Sequence, residues 1–394
     1  MKKFNRVIVL VLDGFGVGEL PDAAKFGDEG SDTFGHLLKI KPQLQIPHLE
    51  SLGLKNIVGQ DYAKAGAVFA KMKEISAGKD TTTGHWEMMG LPVQKAFDTF
   101  PNGFPKNVMD EFVAQNNLKG YLGNYPASGT DIISQLGEEH IQSLKPIVYT
   151  SADSVFQIAA HEKFFGLDRL YEVCRKTRAL LNESGHLVGR VIARPFVGDS
   201  VKNFQRTPRR KDFSVKPFAE TVLTQLKSAD FSVTGIGKIS SIYDGEGITQ
   251  SFTTESDEEA INVCAELLKN DASKGLVFCN LNDLDMLFGH RRNPKGYIEQ
   301  LEKIDSLLPK ILNSLTENDL LMISSDHGND PSFKGTDHTR EYVPLLMSSP
   351  CFRNQTAQAL STRESFCDIG QSILDNFDLK PTKIGKSFLS DLKL

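Results

Sequence analysis

The sequence has few cysteines, and they show no pattern of a disulfide framework or a thiolate metal site. Its 394 residues include five cysteines, an odd number, scattered along the chain without a Cys-x-x-Cys pair. One of them, Cys279, lies within a strongly hydrophobic run that predicts a buried strand. Such cysteines are typical of reduced core thiols. We therefore expect a cytoplasmic protein.

Long hydrophobic runs and an excess of one charge are also missing. The formal net charge is −5, which gives no reason to expect nucleic acid or an anionic membrane as a partner. The apolar stretch after the basic start covers only residues 7–12 and has no small-residue cleavage site, so it does not predict a signal peptide. No segment approaches the length of a membrane span. We expect a monomer that acts on small molecules.

Three hydrophobic runs are each followed by an aspartate. Asp13 follows residues 7–12, Asp285 follows residues 276–281, and Asp326 follows residues 320–325. Continuous runs rich in Val, Ile and Leu predict buried strands of a mostly parallel sheet. Ligands of such sheets bind outside the carboxyl ends of the strands. The three carboxylates are therefore expected to meet at one edge of the sheet.

Three histidines accompany these aspartates: His290 after Asp285, then His327 and His338 after Asp326. Gathering so many carboxylates and imidazoles would be costly without a compensating cation. Oxygen and nitrogen donors without thiolate suit Mn, Mg, Zn or Fe. Six candidates are too many for a single catalytic ion and suit two ions. The other histidines show no such arrangement and are interpreted as structural: His36, His48, His85, His140, His161 and His186.

A cluster of threonine hydroxyls follows Asp80 at the start of a predicted helix. Backbone N–H groups at a helix N-terminus favour a phosphate, so a phosphothreonine formed there would be stabilised. Coordination to a divalent ion can activate a hydroxyl without a neighbouring base. The alternative is that these residues only cap the helix. Local sequence does not choose among Thr81, Thr82 and Thr83.

The order of segments predicts a core formed from both ends of the chain and interrupted by an insertion. None of the three aspartates lies in the middle segment, which follows a Pro- and Gly-rich stretch near residues 97–105. Insertions are tolerated where the ends of a segment emerge close together at a surface. We predict a core of residues 1–97 and 218–394 with an inserted cap of residues 98–217.

The whole chain resembles the phosphopentomutase family of the alkaline phosphatase superfamily, which also contains cofactor-independent phosphoglycerate mutase. The matching segments are residues 11–18 (VLDGFGVG), 78–87 (GKDTTTGHWE), 149–155 (YTSADSV), 192–195 (IARP), 206–208 (RTP), 237–239 (GKI), 243–247 (YDGEG) and 326–330 (DHGND). They occur in order along both predicted domains. One departure is Thr82, where the family pattern leads us to expect a larger apolar residue such as Met.

This resemblance implies an α/β fold: an alkaline phosphatase-like core with a mostly parallel central sheet flanked by helices, plus a smaller inserted α/β cap. It implies that Thr81 is the phosphorylated residue and that manganese, or another divalent ion, occupies two sites per chain. The implied ligands of one ion are Asp13, Asp326, His327 and Thr81, and those of the other are Asp285, His290 and His338.

The implied reaction interconverts α-D-ribose 1-phosphate and D-ribose 5-phosphate, and the 2-deoxy sugars, through a 1,5-bisphosphate. A sugar bisphosphate would serve as activator. The residues expected to hold the sugar and its distal phosphate are Ser151, Asp153, Arg194, Arg206 and Lys238. The planar guanidinium group grips phosphate in a bidentate manner. For the cap arginines, the alternative is a solvated basic loop.

Three other functions compete with this interpretation. A phosphomonoesterase of the same superfamily would use water as the final acceptor, and a cap that excludes water would distinguish a mutase from it. A phosphoglycerate mutase is disfavoured by the threonine at the nucleophile position and by the shorter chain. A catalytically inactive sugar-phosphate binding protein is disfavoured because all six ligands and the hydroxyl are present.

Overall fold

The computed structural model describes residues 3–60, 62–151 and 153–392. The chain forms two compact units. The core unit comprises Met1–Lys95 and Pro217–Leu394, and the inserted unit comprises Ala96–Lys216. The domain boundaries expected from the sequence were 97/98 and 217/218.

Strands and helices alternate along much of the chain. The strands are β1 (Arg6–Leu12), β2 (Val68–Met72), β3 (Leu122–Pro126), β4 (Ile147–Thr150), β5 (Val155–His161), β6 (Arg190–Val197), β7 (Gln205–Arg206), β8 (Lys211–Ser214), β9 (Ser232–Ile236), β10 (Gln250–Phe252), β11 (Gly275–Leu281), β12 (Asp319–Ser324), β13 (Val343–Ser348) and β14 (Gln358–Ala359). The helices are α1 (Ala23–Phe26), α2 (Thr33–Ile40), α3 (Pro47–Ser51), α4 (Leu54–Ile57), α5 (Thr81–Met88), α6 (Lys106–Gln115), α7 (Gly129–Ser143), α8 (Leu167–Glu183), α9 (Val222–Ser228), α10 (Ile239–Ile242), α11 (Asp257–Asn270), α12 (Pro294–Leu307), α13 (Pro309–Leu312) and α14 (Cys367–Asn376). Short π-helical turns span Glu162–Gly166 and Leu284–Gly289, and 3-10 turns span Pro350–Phe352 and Leu389–Asp391.

The core unit is built on an eight-stranded sheet in the order β10-β9-β11-β1-β12-β13-β2-β14. Strand β13 pairs antiparallel with β12 and β2, and the other neighbours pair in parallel. All residues of β1, β11 and β12 are buried, as expected for strands covered on both faces. The predicted mixed α/β class with a mostly parallel central sheet is confirmed.

Helices cover this sheet and supply the apolar side chains of the core. Ile8 and Leu10 of β1 share one hydrophobic cluster with Ile261 of α11 and with Leu301 and Ile304 of α12. Helix α14 packs against α5 and α9. Burial of this apolar surface holds the central strands in register, so the residues that follow those strands have fixed positions.

The inserted unit has a sheet of its own. Its strands run in the order β3-β4-β5-β6-β7, with β8 also paired to β6. Phe104, Phe112 and Phe156 pack together in its core, with ring centroids 4.3 Å apart for Phe104 and Phe156 and 5.3 Å apart for Phe112 and Phe156. The unit therefore has its own hydrophobic core, as a separate domain requires.

Two further predictions concern cysteines and membrane spans. All five cysteines are free, and four of them are buried. Within the described part of the chain, no helix combines the length and apolar character that a membrane crossing requires.

Candidate metal centre

The three predicted aspartates lie at the carboxyl ends of three adjacent strands. Strand β1 pairs in parallel with β11 on one side and β12 on the other, so their carboxyl ends share one edge of the sheet. Asp13 directly follows β1, Asp326 is the second residue after β12, and Asp285 lies in the π-helical turn after β11. All three carboxylates are buried. Parallel pairing thus brings together side chains that are far apart in the sequence.

One group of ligand-type atoms comes from Asp13, Asp326 and His327, and these atoms lie within 4.8 Å of one another. His327 Nε2 is 3.4 Å from Asp13 Oδ1 and 3.4 Å from Asp326 Oδ2. Its Nδ1 lies 3.1 Å from the Gly328 carbonyl, which can only accept, so Nε2 is the atom that faces the carboxylates.

Two carboxylate oxygens of this group indicate whether the group could bind a cation. Asp13 Oδ1 and Asp326 Oδ2 are buried, and neither has a hydrogen-bond partner among the residues that the structure describes. Burial alone would lower the pKa of His327, yet the carboxylates of Asp326 and Asp13 raise that pKa well above its ordinary value. The same negative field that attracts a proton attracts a divalent cation. The donor set of the group therefore fits a metal ion.

A second group of ligand-type atoms comes from Asp285, His327 and His338, again within 4.8 Å of one another. His290 Nε2 lies 3.2 Å from Asp285 Oδ2, and His338 Nε2 lies 3.6 Å from Asp285 Oδ1. Burial would raise the pKa of Asp285, but His290 and His338 lower it well below its ordinary value. All six predicted ligands are therefore close together, and His327 belongs to both groups.

Thr81 lies beside this assembly. It is the first residue of α5, and its Oγ1 is 3.2 Å from His327 Nε2. Asp80 caps the helix by accepting from the Thr83 N–H and from the Thr83 hydroxyl, at 3.2 and 2.5 Å. Thr83 thus forms part of the helix cap, whereas the Thr81 hydroxyl faces the histidine. This contact distinguishes among threonines that local sequence could not separate.

Two residues that the sequence analysis missed support the assembly from behind. His85, interpreted from sequence as structural, is fully buried, and its Nδ1 lies 2.9 Å from the Thr81 carbonyl and 3.1 Å from Asp326 Oδ2. Asn280 Nδ2 donates to Asp13 Oδ2 at 3.0 Å and lies 3.3 Å from His85 Nε2. The sequence signal for Asn280 is a polar residue inside the apolar run of β11. For His85, the signal is the helical i, i+4 spacing from Thr81.

The predicted substrate-binding residues fall into both units. Lys238 directly precedes α10 in the core unit. Burial raises the pKa of Asp13, but His327 and the charge of Lys238 hold that pKa below its ordinary value. In the inserted unit, Arg194 and Arg206 line a cavity of about 440 Å³ together with Arg210. Three guanidinium groups around one cavity favour an anionic ligand.

The structure does not place every predicted residue in that cavity. Of the residues described in the inserted unit, Ser151 and Asp153 were also predicted to bind substrate, but they lie outside the lining of the cavity. Asp153 instead forms a long ion pair with Arg190, at 3.8 Å.

Comparisons with known proteins find solved structures of low sequence identity and one family model that matches nearly the whole chain. Solved structures with similar backbones include the PH0037 protein of Pyrococcus horikoshii, with 14% identity, coverage of 98% of this chain and 100% of that chain, and a TM-score of 0.50. Phosphoglycerate mutase of Leishmania mexicana is 12% identical in sequence, with a TM-score of 0.47. The match covers 98% of this chain and 97% of the mutase. Alkaline phosphatase of the Antarctic bacterium TAB5 is 15% identical in sequence, with a TM-score of 0.37. The match covers 96% of this chain and 99% of the phosphatase. The family model of the Metalloenzyme superfamily matches residues 5–381, nearly the whole sequence. The chain therefore belongs to the Metalloenzyme superfamily.

Proposed function

We propose that this protein is a phosphopentomutase that interconverts ribose 1-phosphate and ribose 5-phosphate, and the 2-deoxy sugars, through phosphorylated Thr81. The observation that carries the proposal is the Thr81 hydroxyl, 3.2 Å from His327 Nε2. That nitrogen lies 3.4 Å from a carboxylate oxygen of Asp13 and from one of Asp326. A hydroxyl in this position suits a phosphoryl acceptor and donor. The segments that match the family, from residue 11 to residue 330, support the same reaction.

Two divalent ions fit the six clustered ligands. Asp13, Asp326, His327 and Thr81 would hold one ion, and Asp285, His290 and His338 would hold the other. When bound, such a pair supplies Lewis-acid stabilisation of the attacking and leaving oxygens in a displacement at phosphorus. We propose Mn²⁺ as the ion, on the family resemblance.

The reaction consists of two transfers that conserve the phosphoryl group. In the first transfer, the bond from phosphorus to Thr81 Oγ1 breaks and a new P–O bond forms to the free hydroxyl of the pentose, which gives the 1,5-bisphosphate. In the second transfer, Thr81 Oγ1 attacks the other phosphate, whose P–O bond to the sugar breaks. The proton lost by one sugar hydroxyl is regained at the other. A sugar bisphosphate would load Thr81 before the first turnover.

The chain's own residues would orient and stabilise Thr81. Its place at the start of α5 puts the phosphate at a helix N-terminus, where backbone N–H groups and the helix dipole favour negative charge. His85 Nδ1, which lies 2.9 Å from the Thr81 carbonyl and 3.1 Å from Asp326 Oδ2, would hold the helix start against the strand end. We propose that Arg194 and Arg206 recognise a phosphate group of the sugar.

A coupled assay on ribose 1-phosphate tests this function. With Mn²⁺ and a small amount of sugar bisphosphate present we expect ribose 5-phosphate, and we expect a chelator to abolish its formation. Release of free ribose and inorganic phosphate instead would contradict the mutase and favour a phosphomonoesterase of the same superfamily.

A further inference from the structure

Arg292 follows the turn that carries Asp285 and reaches toward several parts of the predicted metal centre. It is half-buried, and its φ of 50° lies in the left-handed region that few non-glycine residues adopt. The guanidinium donates to the Gly289 carbonyl at 2.8 Å, Asn329 Oδ1 at 2.5 Å, the Gly335 carbonyl at 2.6 Å and the Asp337 carbonyl at 2.6 Å. A single side chain thus ties the turn before His290 to the loop before His338.

The first consequence concerns the orientation of His290. Arg292 holds the carbonyls on either side of Thr336, and the Thr336 carbonyl itself lies 2.7 Å from His290 Nδ1. Because a carbonyl can only accept, Nδ1 carries the proton and Nε2 is the atom that faces Asp285. Residues 334–337 are exposed and form neither helix nor strand, so their position depends on such side-chain hydrogen bonds.

The second consequence concerns the carboxylate of Asp285. Asn329 is fully buried, and its Nδ2 donates to Asp285 Oδ1 at 2.7 Å while its Oδ1 accepts from Arg292. A Cβ atom added at Gly289 would lie 2.6 Å from Asn329 Nδ2, so the turn approaches Asn329 closely. Arg292 therefore acts on Asp285 through Asn329.

We propose that Arg292 is a positioning residue for the half of the metal centre formed by Asp285, His290 and His338. This inference rests on the proposed function insofar as that function requires two bound ions, but not on the identity of the sugar. Partners that orient metal ligands typically change metal affinity by about 10- to 100-fold when they are removed.

The direction of the change in metal affinity distinguishes a positioning role of Arg292 from a purely electrostatic one. A cationic group near a cation site weakens binding of the ion by repulsion, so removal of its charge alone would tighten binding. Loss of a positioning group would weaken it instead. The two explanations thus predict opposite results for the same substitution.

The experiment measures Mn²⁺ binding to the full-length protein by titration and by metal content, alongside thermal unfolding of the metal-free protein. We expect two ions per chain in the wild type. In Arg292→Ala we expect one of the two ions to bind about 10- to 100-fold more weakly while the other is little changed. Arg291→Ala is the matched control, since its exposed side chain is the immediate neighbour, and it should bind both ions like the wild type.

Arg292→Lys keeps the charge but lacks the planar fork that reaches several acceptors at once, so it should also bind one ion more weakly. It provides the same test if the alanine variant does not fold. If the Arg292 variants bind both ions as tightly as the wild type, or more tightly, the inference is wrong. The proposed function would then be unaffected. A wild-type protein that binds no Mn²⁺ would overturn both.

Discussion

At the scale of single residues, the proposed chemistry depends on the hydroxyl of Thr81. Substitution of Thr81 by Ala removes the phosphoryl acceptor but leaves all six carboxylate and imidazole ligands. We expect Thr81→Ala to form no phosphoenzyme and to lose mutase activity by several orders of magnitude, because a nucleophile has no substitute in the site. Mn²⁺ binding should largely survive. Intact-protein mass spectrometry and metal analysis measure both outcomes.

Thr82→Ala is the control for this experiment, since it removes a hydroxyl from the same turn of the helix without touching the proposed acceptor. It should be phosphorylated and active like the wild type. A phosphorylated Thr81→Ala protein would refute the assignment of the acceptor.

Residue by residue, the sequence predicted the clustering of the candidate metal ligands better than the groups around them. Asp13 and Asp326 were predictable because hydrophobic runs indicate buried parallel strands, whose carboxyl ends must meet. His85 was missed because its role arises when its helix packs against Asp326, which no local pattern indicates. The Arg292 contacts were missed for a similar reason, since they join loops whose folding depends on long-range packing.

At the scale of secondary structure elements, the position of α5 depends on its close approach to the loop after β12. A Cβ atom added at Gly84 would lie 2.0 Å from the Asp326 carbonyl oxygen, so only glycine allows this approach. We expect Gly84→Ala to displace α5, to cost about 1–3 kcal/mol of unfolding free energy, and to reduce activity strongly as Thr81 moves from His327. Thermal unfolding and the coupled assay measure the two effects.

Thr82→Ala is also the control for Gly84→Ala, because residue 82 lies on the same helix and this substitution makes the side chain smaller. Wild-type activity and stability in Gly84→Ala would show that the position of the helix is not critical. The element itself was predictable from Asp80 as a helix cap, whereas its close contact with Asp326 required the tertiary structure.

At the scale of the whole molecule, the proposed mutase reaction draws on residues of both compact units. The core unit contains Thr81 and the six predicted ligands, and the inserted unit contains the cavity lined by Arg194, Arg206 and Arg210. A mutase must keep its phosphoenzyme and bisphosphate from water. We expect deletion of Ala96–Lys216 to abolish isomerisation of ribose 1-phosphate and to leave a slow release of inorganic phosphate.

Cooperative thermal unfolding and Mn²⁺ binding of the shortened protein establish that its core is folded. If that folded core still isomerised the sugar phosphate, the inserted unit would not be needed for the mutase reaction. The insertion was predictable from the order of the segments. The lining of the arginine cavity was not, because it depends on the pairing of β6 with β7 and β8, and Ser151 and Asp153 lie outside it.

In the proposed reaction the phosphoryl group passes through Thr81. The test uses ribose 1-phosphate that carries a phosphorus label, incubated with an excess of unlabelled ribose 5-phosphate and with Mn²⁺-loaded protein that a sugar bisphosphate has phosphorylated. We expect the label to appear on Thr81 and then in the pool of both sugar phosphates, with little inorganic phosphate. Label recovered only as inorganic phosphate, or isomerisation without any labelled protein, would contradict it.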